Sequence, residues 1–140
     1  MNWFECMNKL KILLIEDDEI ERMKFSRVVS KMGNHTIVEA ENGERALNIL
    51  EETTIPNLII LDLNMPKVNG VEFLKILKQN TNLHYIPIIV MSTSNNHNDI
   101  KKCYEIGVSG YMIKPLHYDD YKTKITNLIG YWMHNELISA

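Results

Sequence analysis

The stretch that decides the fold is Leu58–Gly70, which reads LIILDLNMPKVNG. Its first four residues, Leu58–Leu61, are all apolar, as expected of a strand that other elements cover on both faces. The apolar run stops at Asp62, and Pro66 and Gly70 then mark a loop that leads into a helical pattern. The stretch therefore predicts a buried strand, an acid at its carboxyl end and a helix that returns over a sheet.

The same alternation repeats along the rest of the chain. Four further runs have the length of β-strands, namely Leu10–Ile15, which only Lys11 interrupts, the less apolar Thr36–Ala40, and Ile86–Met91 and Tyr111–Ile113. Helical patterns lie between and after the runs, over Glu19–Met32, Gly43–Glu52, Gly70–Gln79, Asn96–Ile106 and from Tyr118 onward. Five strand–helix units in 140 residues predict an α/β fold with a five-stranded, parallel, doubly wound sheet and five helices.

The composition is that of one ordinary globular domain, with 45% hydrophobic and 24% charged residues. A formal net charge of −3 argues against a nucleic-acid partner, because such proteins normally carry a basic face. No apolar stretch approaches the length of a membrane span. The two cysteines, Cys6 and Cys103, match neither a disulfide framework nor a zinc site. These features predict a cytoplasmic protein that binds neither nucleic acid nor a membrane.

The chain divides into one domain with a short segment on each side. Residues 1–8 are interpreted as an N-terminal lead-in, with Trp3 or Phe4 packing on the surface. Residues 9–130 form the domain, and residues 131–140 extend its last helix. That helix carries an apolar stripe at spacings of three and four residues, made of Tyr118, Tyr121, Ile125, Leu128 and Trp132. The stripe is either a core-facing side of the helix or part of a seam between two copies of the chain.

Polar residues follow four of the five predicted strands. They are Glu16 and Asp17 after the first strand, Asp62 after the third, Ser92 after the fourth and Lys114 after the fifth. Ligands of open parallel sheets bind at the carboxyl ends of the strands, so we expect these side chains to meet at one edge.

The three carboxylates of this group would crowd one another. Two like charges about 5 Å apart repel by roughly 3 kcal/mol at an effective dielectric constant of about 20. A hard divalent cation with oxygen ligands offsets that repulsion, and Mg²⁺ with retained waters suits a half-open carboxylate site. An alternative is that Glu16, Asp17 and Asp18 only mark a helix N-terminus, where acids are favoured. Either Asp18 or Glu19 is expected to cap the first helix.

The remaining groups suggest phosphoryl chemistry. Asp62 alone could be a turn residue, but beside an acidic pair and Lys114 it is better interpreted as a carboxylate nucleophile. Ser92 alone is an ordinary strand-end serine, and in this company it could donate a hydrogen bond to a phosphoryl oxygen. Lys114 supplies a cation opposite the acids. The Lys114–Pro115 bond is also a candidate for the cis form.

Four segments resemble the receiver domain of bacterial response regulators. They are LLIEDD at 13–18, IILDLNMP at 59–66, PIIVMS at 87–92 and GYMIKP at 110–115. All occur in the family's order, and the resemblance covers about residues 9–130. It implies a flavodoxin-like receiver fold and a single-domain response regulator, similar to stand-alone receivers of the chemotaxis type and those paired with bacterial phytochromes.

The resemblance also implies roles for the residues at the strand ends. Asp62 would accept a phosphoryl group from a sensor histidine kinase or a phosphotransfer protein. Asp17 and Asp62 would bind Mg²⁺ directly, Glu16 through water, and Asn64 through its backbone carbonyl. Lys114 would pair with Asp62 and then with the phosphoryl group.

Two further positions would form the switch. Ser92 would be the switch hydroxyl, with Thr93 as the neighbouring alternative, and Tyr111 the aromatic residue that moves inward when Ser92 binds phosphate. By the same resemblance, Asn64 and Ser94 would tune a slow self-dephosphorylation, so the protein would be a phosphoacceptor and not a turnover enzyme.

The output would be a changed surface that a downstream protein binds. A homodimer through the fourth helix, the fifth strand and the fifth helix is a further hypothesis. The competing function is a Mg²⁺-dependent phosphohydrolase with an aspartate nucleophile, but such enzymes place a second Asp two residues later, where this chain has Asn64. A docking module that is never phosphorylated would be expected to lack the acids or the Lys, and all are present.

Overall fold

The computed structural model describes residues 9–52, 54–65 and 69–138. Its strands are β1 Lys11–Ile15, β2 Thr36–Ala40, β3 Leu58–Leu61, β4 Ile88–Ser92 and β5 Gly110–Ile113. Its helices are α1 Glu19–Ser30, α2 Gly43–Glu52, α3 Gly70–Gln79, α4 His97–Ile106 and α5 Tyr118–Met133. The predicted lead-in of residues 1–8, with Trp3 and Phe4, lies outside the described residues.

The strands form one parallel sheet in the order β2-β1-β3-β4-β5, which confirms the predicted fold. After β2 the chain returns across β1 to form β3 on its other side, so the strand order reverses between β1 and β3. Crevices at such a reversal are where open α/β sheets bind ligands. Ile15 and Leu61, the last residues of these two strands, are paired in register. The residues that follow them therefore leave the sheet side by side.

Two hydrophobic clusters hold the helices against the sheet. One face packs against α1 and α5 around Phe25 and Ile125, and the other packs against α2, α3 and α4 around Phe73 and Leu77. Every residue of β3 and β4 is buried, as their apolar sequences predict for strands covered on both faces. This core leaves the loops at the carboxyl ends of the strands to carry polar groups.

Several boundaries differ from the sequence-based predictions. Helix α1 ends at Ser30 instead of Met32, because Lys31 and Met32 donate to carbonyls three residues back in a tightened last turn. Strand β4 starts at Ile88, after Pro87, and includes Ser92, which pairs in register with Ile113. Helix α5 ends at Met133, so the predicted helical extension over 131–140 is wrong for residues 134–138, and its last two residues lie outside the described residues.

The Lys114–Pro115 bond is not cis, contrary to the candidate assignment. The trans form is the lower-energy one for most X–Pro bonds.

The apolar stripe of α5 divides between core and surface. Tyr121 and Ile125 are buried against β1, β3 and α1, as is Ile129 outside the predicted stripe, whereas Tyr118 is exposed. Leu128 and Trp132 are half-buried on the edge of the same cluster. The stripe therefore serves mainly as a core-facing side, with a partly exposed margin. None of the described helices has the length and apolar character needed to cross a membrane.

Candidate acidic site at the carboxyl edge of the sheet

Backbone hydrogen bonds hold the acids at the strand reversal. The Asp62 amide donates to the Ile15 carbonyl at 3.0 Å, and the Glu16 amide donates to the Ala40 carbonyl at 3.0 Å. These bonds extend the sheet pairing by one residue beyond β1 and β3. Glu16 and Asp62 are consequently fixed by the sheet itself and do not depend on a free loop.

The three predicted carboxylates come together. One side-chain oxygen from each of Glu16, Asp17 and Asp62 lies within 4.8 Å of the others. Glu16 and Asp62 are buried, with 5% and 8% of their surface exposed, whereas Asp17 faces solvent. A cluster of oxygen donors with one open side has the chemistry that a hard divalent cation requires.

The alternative in which these acids only cap a helix applies to Asp18 alone. Its side chain accepts hydrogen bonds from the amides of Ile20 and Glu21 and is the N-cap of α1. Glu16 and Asp17 point instead into the cluster with Asp62. The N-cap prediction is thus confirmed for Asp18, and the acidic pair before it is available to the site.

Lys114 reaches this cluster from β5, but with a different partner from the expected one. Its ammonium lies 3.2 Å from Oε2 of Glu16, and both side chains are largely buried. Among the ion pairs of the described residues, Lys114 pairs with Glu16 and not with Asp62. Asp62 instead accepts a hydrogen bond from the amide of Asn64 at 3.2 Å. The longer Glu side chain reaches the ammonium, while the short Asp side chain stays with its own loop.

Burial and mutual repulsion shift the pKa values of these groups. Burial raises the pKa of Glu16 to about 7, with Lys114 opposing the rise and Asp62 adding to it. Burial also raises the pKa of Asp62, again against the effect of Lys114. Burial lowers the pKa of Lys114, but the two acids outweigh that effect, so its pKa is raised overall. One ammonium does not balance three acids, so the cluster favours the uptake of further positive charge.

Ser92 and Tyr111 are joined to the site through Ser94. The Ser92 hydroxyl is fully buried and accepts from the Ser94 amide at 3.0 Å. The half-buried Tyr111 donates from its hydroxyl to the Ser94 carbonyl at 2.9 Å. The Lys114 amide donates to the Ser92 carbonyl at 2.8 Å, which extends the pairing of β4 and β5 by one residue. Thr93, the alternative switch residue, is exposed.

A cleft of about 670 Å³ opens beside this group. Asn64, Ser92 and Ser94 line it on one side, and Asn69 and Asp99 line it at the first turns of α3 and α4. The positions that were predicted to flank a reacting group therefore face the same open space.

Two residues that the sequence patterns did not assign to the site support the acids. Arg22 donates from Nη1 to the Glu16 carbonyl at 2.8 Å, and its Nε lies 3.6 Å from Oε2 of Glu39. Gly70 donates from its amide to the Leu63 carbonyl at 3.1 Å, which holds the start of α3 close to the Asp62 loop. No spacing rule connects Arg22 to Glu16. The position of Gly70 directly after the loop was the available signal for the second contact.

The comparison with known families decides what this arrangement is. Residues 12–126 match the family model of the response regulator receiver domain. The chain belongs to the response regulator receiver family. This receiver is therefore a response regulator of two-component signalling, and its fold agrees with the resemblance in the sequence.

Curated relatives span most of this receiver. It is 33% identical over 135 residues to the probable methanogenesis regulatory protein FilR2 of Methanothrix harundinacea, covering 92% of this chain and 87% of that protein. It is 32% identical over 136 residues to response regulator Rcp1 of Synechocystis, covering 92% of each. It is 30% identical over 118 residues to two-component response regulator ORR6 of rice, Oryza sativa, covering 83% of this chain and 69% of that protein.

Two solved structures resemble this receiver closely. The Mn²⁺-bound form of response regulator Rcp1 superposes with a TM-score of 0.85 at 32% identity, covering 94% of this chain and 99% of that one. The phosphorylated cyanobacterial phytochrome response regulator RcpA superposes with a TM-score of 0.89 at 28% identity, covering 94% and 100%. Structures that carry a divalent metal and a phosphoryl group thus share the fold of this receiver.

Proposed function

We propose that this receiver accepts a phosphoryl group on Asp62 from the phosphohistidine of a sensor histidine kinase or phosphotransfer protein, and that the reaction depends on Mg²⁺. The observation that carries the proposal is the meeting of three carboxylates, a buried ammonium and a buried hydroxyl at the carboxyl edge of one sheet. Such a set can hold a cation, a nucleophile and a developing negative charge within one site.

The transfer is a displacement at phosphorus. A carboxylate oxygen of Asp62 forms a new P–O bond while the P–N bond of the phosphohistidine breaks, and the electron pair of that bond leaves with the imidazole. Lys114 directly follows β5, two strands away from β3, and its long side chain would pair with the phosphoryl oxygens. Ser92, at the end of the intervening β4, can turn its hydroxyl toward them. Tyr111 would move together with Ser92, because the hydroxyl groups of Ser92 and Tyr111 both hydrogen-bond to the backbone of Ser94. Asn64 and Ser94 line the cleft on the solvent side and would influence hydrolysis of the acyl phosphate.

Mg²⁺ suits the donors that this chain supplies. Asp17 and Asp62 would bind it directly, Glu16 through water, and Asn64 through its carbonyl. All of these donors are oxygen atoms, which Mg²⁺ prefers, and the open side at Asp17 leaves room for retained waters. When bound, the ion would neutralise phosphoryl oxygens during the transfer.

The experiment that tests the function uses acetyl phosphate as donor. We expect intact mass to show one added phosphoryl group in the presence of Mg²⁺ and none after chelation. The same sample should show no sustained turnover of small phosphate esters, because no second Asp at position 64 is available as a general acid. Steady turnover of such esters would support the phosphohydrolase alternative instead.

The effect of Mg²⁺ on stability should depend on pH. The pKa of Glu16 is about 7 in the folded protein, against an ordinary value of 4.5. Between these two pH values the folded protein therefore binds more protons than the unfolded protein does. The metal-free protein should therefore lose stability as pH rises through this range, by up to about 3 kcal/mol. Mg²⁺ requires the ionised acids, so its stabilisation should grow over the same range.

Urea unfolding near pH 5 and near pH 8, with and without Mg²⁺, measures both effects. Glu16→Gln serves as the control, because it keeps the side-chain shape and removes the titrating group. An equal stabilisation by Mg²⁺ at the two pH values would contradict the assignment of these acids to the metal.

We propose further that the receiver forms a homodimer through α4, β5 and α5. Tyr104 and Tyr131 are 50% and 61% exposed on this side, and a groove of about 440 Å³ between them is lined by Met112, Leu128 and Trp132. Such a partly apolar side with exposed aromatic residues is typical of protein interfaces.

Analytical ultracentrifugation at tens of micromolar tests the dimer. Tyr131→Ala should weaken association by about tenfold, as removal of an interface tyrosine often does. Tyr85→Ala is the matched control, because Tyr85 is 62% exposed in the loop before β4. A monomer at these concentrations, with and without a phosphoryl mimic, would reject the dimer.

The remaining parts of the proposal follow from this function. Residues 9–130 form the receiver domain, the surface of which a downstream protein would bind. The cytoplasm is the expected location, because the phosphoryl donors of two-component systems act there.

A further inference from the structure

A small cavity lies directly beneath the acidic cluster, between the sheet and the helices α1 and α5. Its volume is about 20 Å³. Apolar side chains such as Phe25 and Met91 form part of its wall. The polar groups that line it come from the carboxyl ends of the strands and from the helices α1 and α5. They are Glu16, Asp62 and Lys114 at the strand ends, and Glu21 and Tyr121 on the helices. A cavity of roughly 10–15 Å³ or more with two to four polar partners is large enough to hold one water molecule.

Tyr121 is the group whose presence in this cavity the proposed reaction does not explain. It is only 3% exposed, and among the described residues no group lies within hydrogen-bond distance of its hydroxyl. Its ring is fixed from two sides, by the Lys24 ammonium 4.6 Å from the ring centre and by Tyr118 at 6.3 Å between ring centres. A buried hydroxyl normally makes a hydrogen bond, so a fixed one at a cavity that charged side chains also line indicates a partner inside that cavity.

Two of the other lining groups have unused hydrogen-bonding capacity toward the same space. An ammonium can donate three hydrogen bonds, and the one that Lys114 donates to Oε2 of Glu16 leaves donors that can face the cavity. Glu21 pairs with Lys24 at 3.2 Å through Oε1, which leaves its second oxygen as an acceptor. Burial and the nearby Glu21 raise the pKa of Tyr121, so its hydroxyl keeps its proton and can donate.

We propose that this cavity binds one structural water, which accepts hydrogen bonds from Lys114 and Tyr121 and donates to Glu21 and to the acidic cluster. Tyr121 is then a positioning residue that holds the Lys114 ammonium in the direction needed at Asp62. The kinetic consequence of this inference rests on the proposed function, whereas the water itself does not. The site would also couple α5 to the acidic cluster, because Tyr121 lies in the second turn of that helix.

The test compares the wild type with Tyr121→Phe, which removes only the hydroxyl. A high-resolution crystal structure of the wild type should show a water peak within hydrogen-bond distance of both Lys114 Nζ and Tyr121 Oη. In nuclear magnetic resonance, the Lys114 ammonium should be protected from solvent exchange in the wild type and lose that protection in the variant. Both readouts use the unphosphorylated protein.

The kinetic readout uses acetyl phosphate and Mg²⁺. Tyr121→Phe should lower the maximal phosphorylation rate by about threefold to tenfold, as expected for the loss of one hydrogen bond. The donor concentration at half-maximal rate should stay unchanged, because Lys114 acts in the transfer. Tyr118→Phe is the matched control, since it alters a tyrosine on the same helix that does not line the cavity.

The outcomes separate this inference from the proposed function. A dry cavity in the wild type, or an ammonium signal and maximal rate unchanged in Tyr121→Phe, would overturn the inference. A water at the predicted place with no phosphorylation of the wild type would instead overturn the proposed function and leave the water site standing.

Discussion

Asp62→Asn should lower phosphoryl incorporation from acetyl phosphate by about a hundredfold or more, as the loss of a covalent nucleophile does. The amide oxygen of Asn is a poor nucleophile, yet Asn has the shape of Asp and can still accept a hydrogen bond from the Asn64 amide. Intact mass after incubation with Mg²⁺ measures the effect. Asp120→Asn is the matched control, because Asp120 is an exposed acid in the first turn of α5.

The same variant should be more stable than the wild type in the absence of a cation. Replacing Asp62 removes one of three carboxylates that lie within 4.8 Å of one another. The repulsion of one such pair is roughly 3 kcal/mol at an effective dielectric constant of about 20, and the lost attraction between Asp62 and Lys114 offsets part of the gain. Urea unfolding measures it and also shows that lost phosphorylation is not lost folding. Full phosphorylation of Asp62→Asn would move the acceptor to another residue.

Gly70→Ala should destabilise the protein by about 3 kcal/mol through overpacking against the main chain. An added Cβ would lie 2.5 Å from the Leu63 Cα and 2.8 Å from the Asp62 carbonyl oxygen. These neighbours are backbone atoms, so no side chain can turn aside to make room. Because the strain falls on the Asp62–Leu63 segment, the variant should also bind Mg²⁺ more weakly.

Urea unfolding with a matched glycine variant tests this expectation. Gly130→Ala is the control, because Gly130 lies within α5 and an added Cβ there meets nothing within 4 Å. That change should be neutral or stabilising, by up to about 1 kcal/mol, since Ala favours helix more than Gly. Equal stabilities of Gly70→Ala and the wild type would show that the start of α3 can move away from the loop.

Local patterns account for the elements and for the choice of site residues. The run Leu58–Leu61 and four other strand-length runs predicted all five strands. The signal was strongest for β3 and β4, because strands that are buried on both faces are apolar throughout. Asp62, Ser92 and Lys114 could be selected because parallel strands end at the same edge. The sequence already favours Ser92 over its neighbour Thr93, because Ser92 lies five residues after Pro87, and in the structure Ser92 is buried whereas Thr93 is exposed.

Contacts between elements decided what the patterns left open. The sequence could not show that Lys114 pairs with Glu16, because that choice depends on how far each acid reaches across the sheet edge. It could not place Tyr121 behind the acids, since the stripe of α5 is equally compatible with a core face and a seam.

The sequence by itself determined the number and order of the strands and helices and the residues that stand at their carboxyl ends. The tertiary structure alone decided which of those side chains touch, where α1 and α5 end, and that a small cavity lies beneath the site. The physical reason is the separation along the chain over which each kind of interaction acts. Periodicity and turn chemistry act between residues near one another in the chain, whereas ion pairs, close backbone approaches and cavities depend on residues as far apart as Glu16 and Lys114.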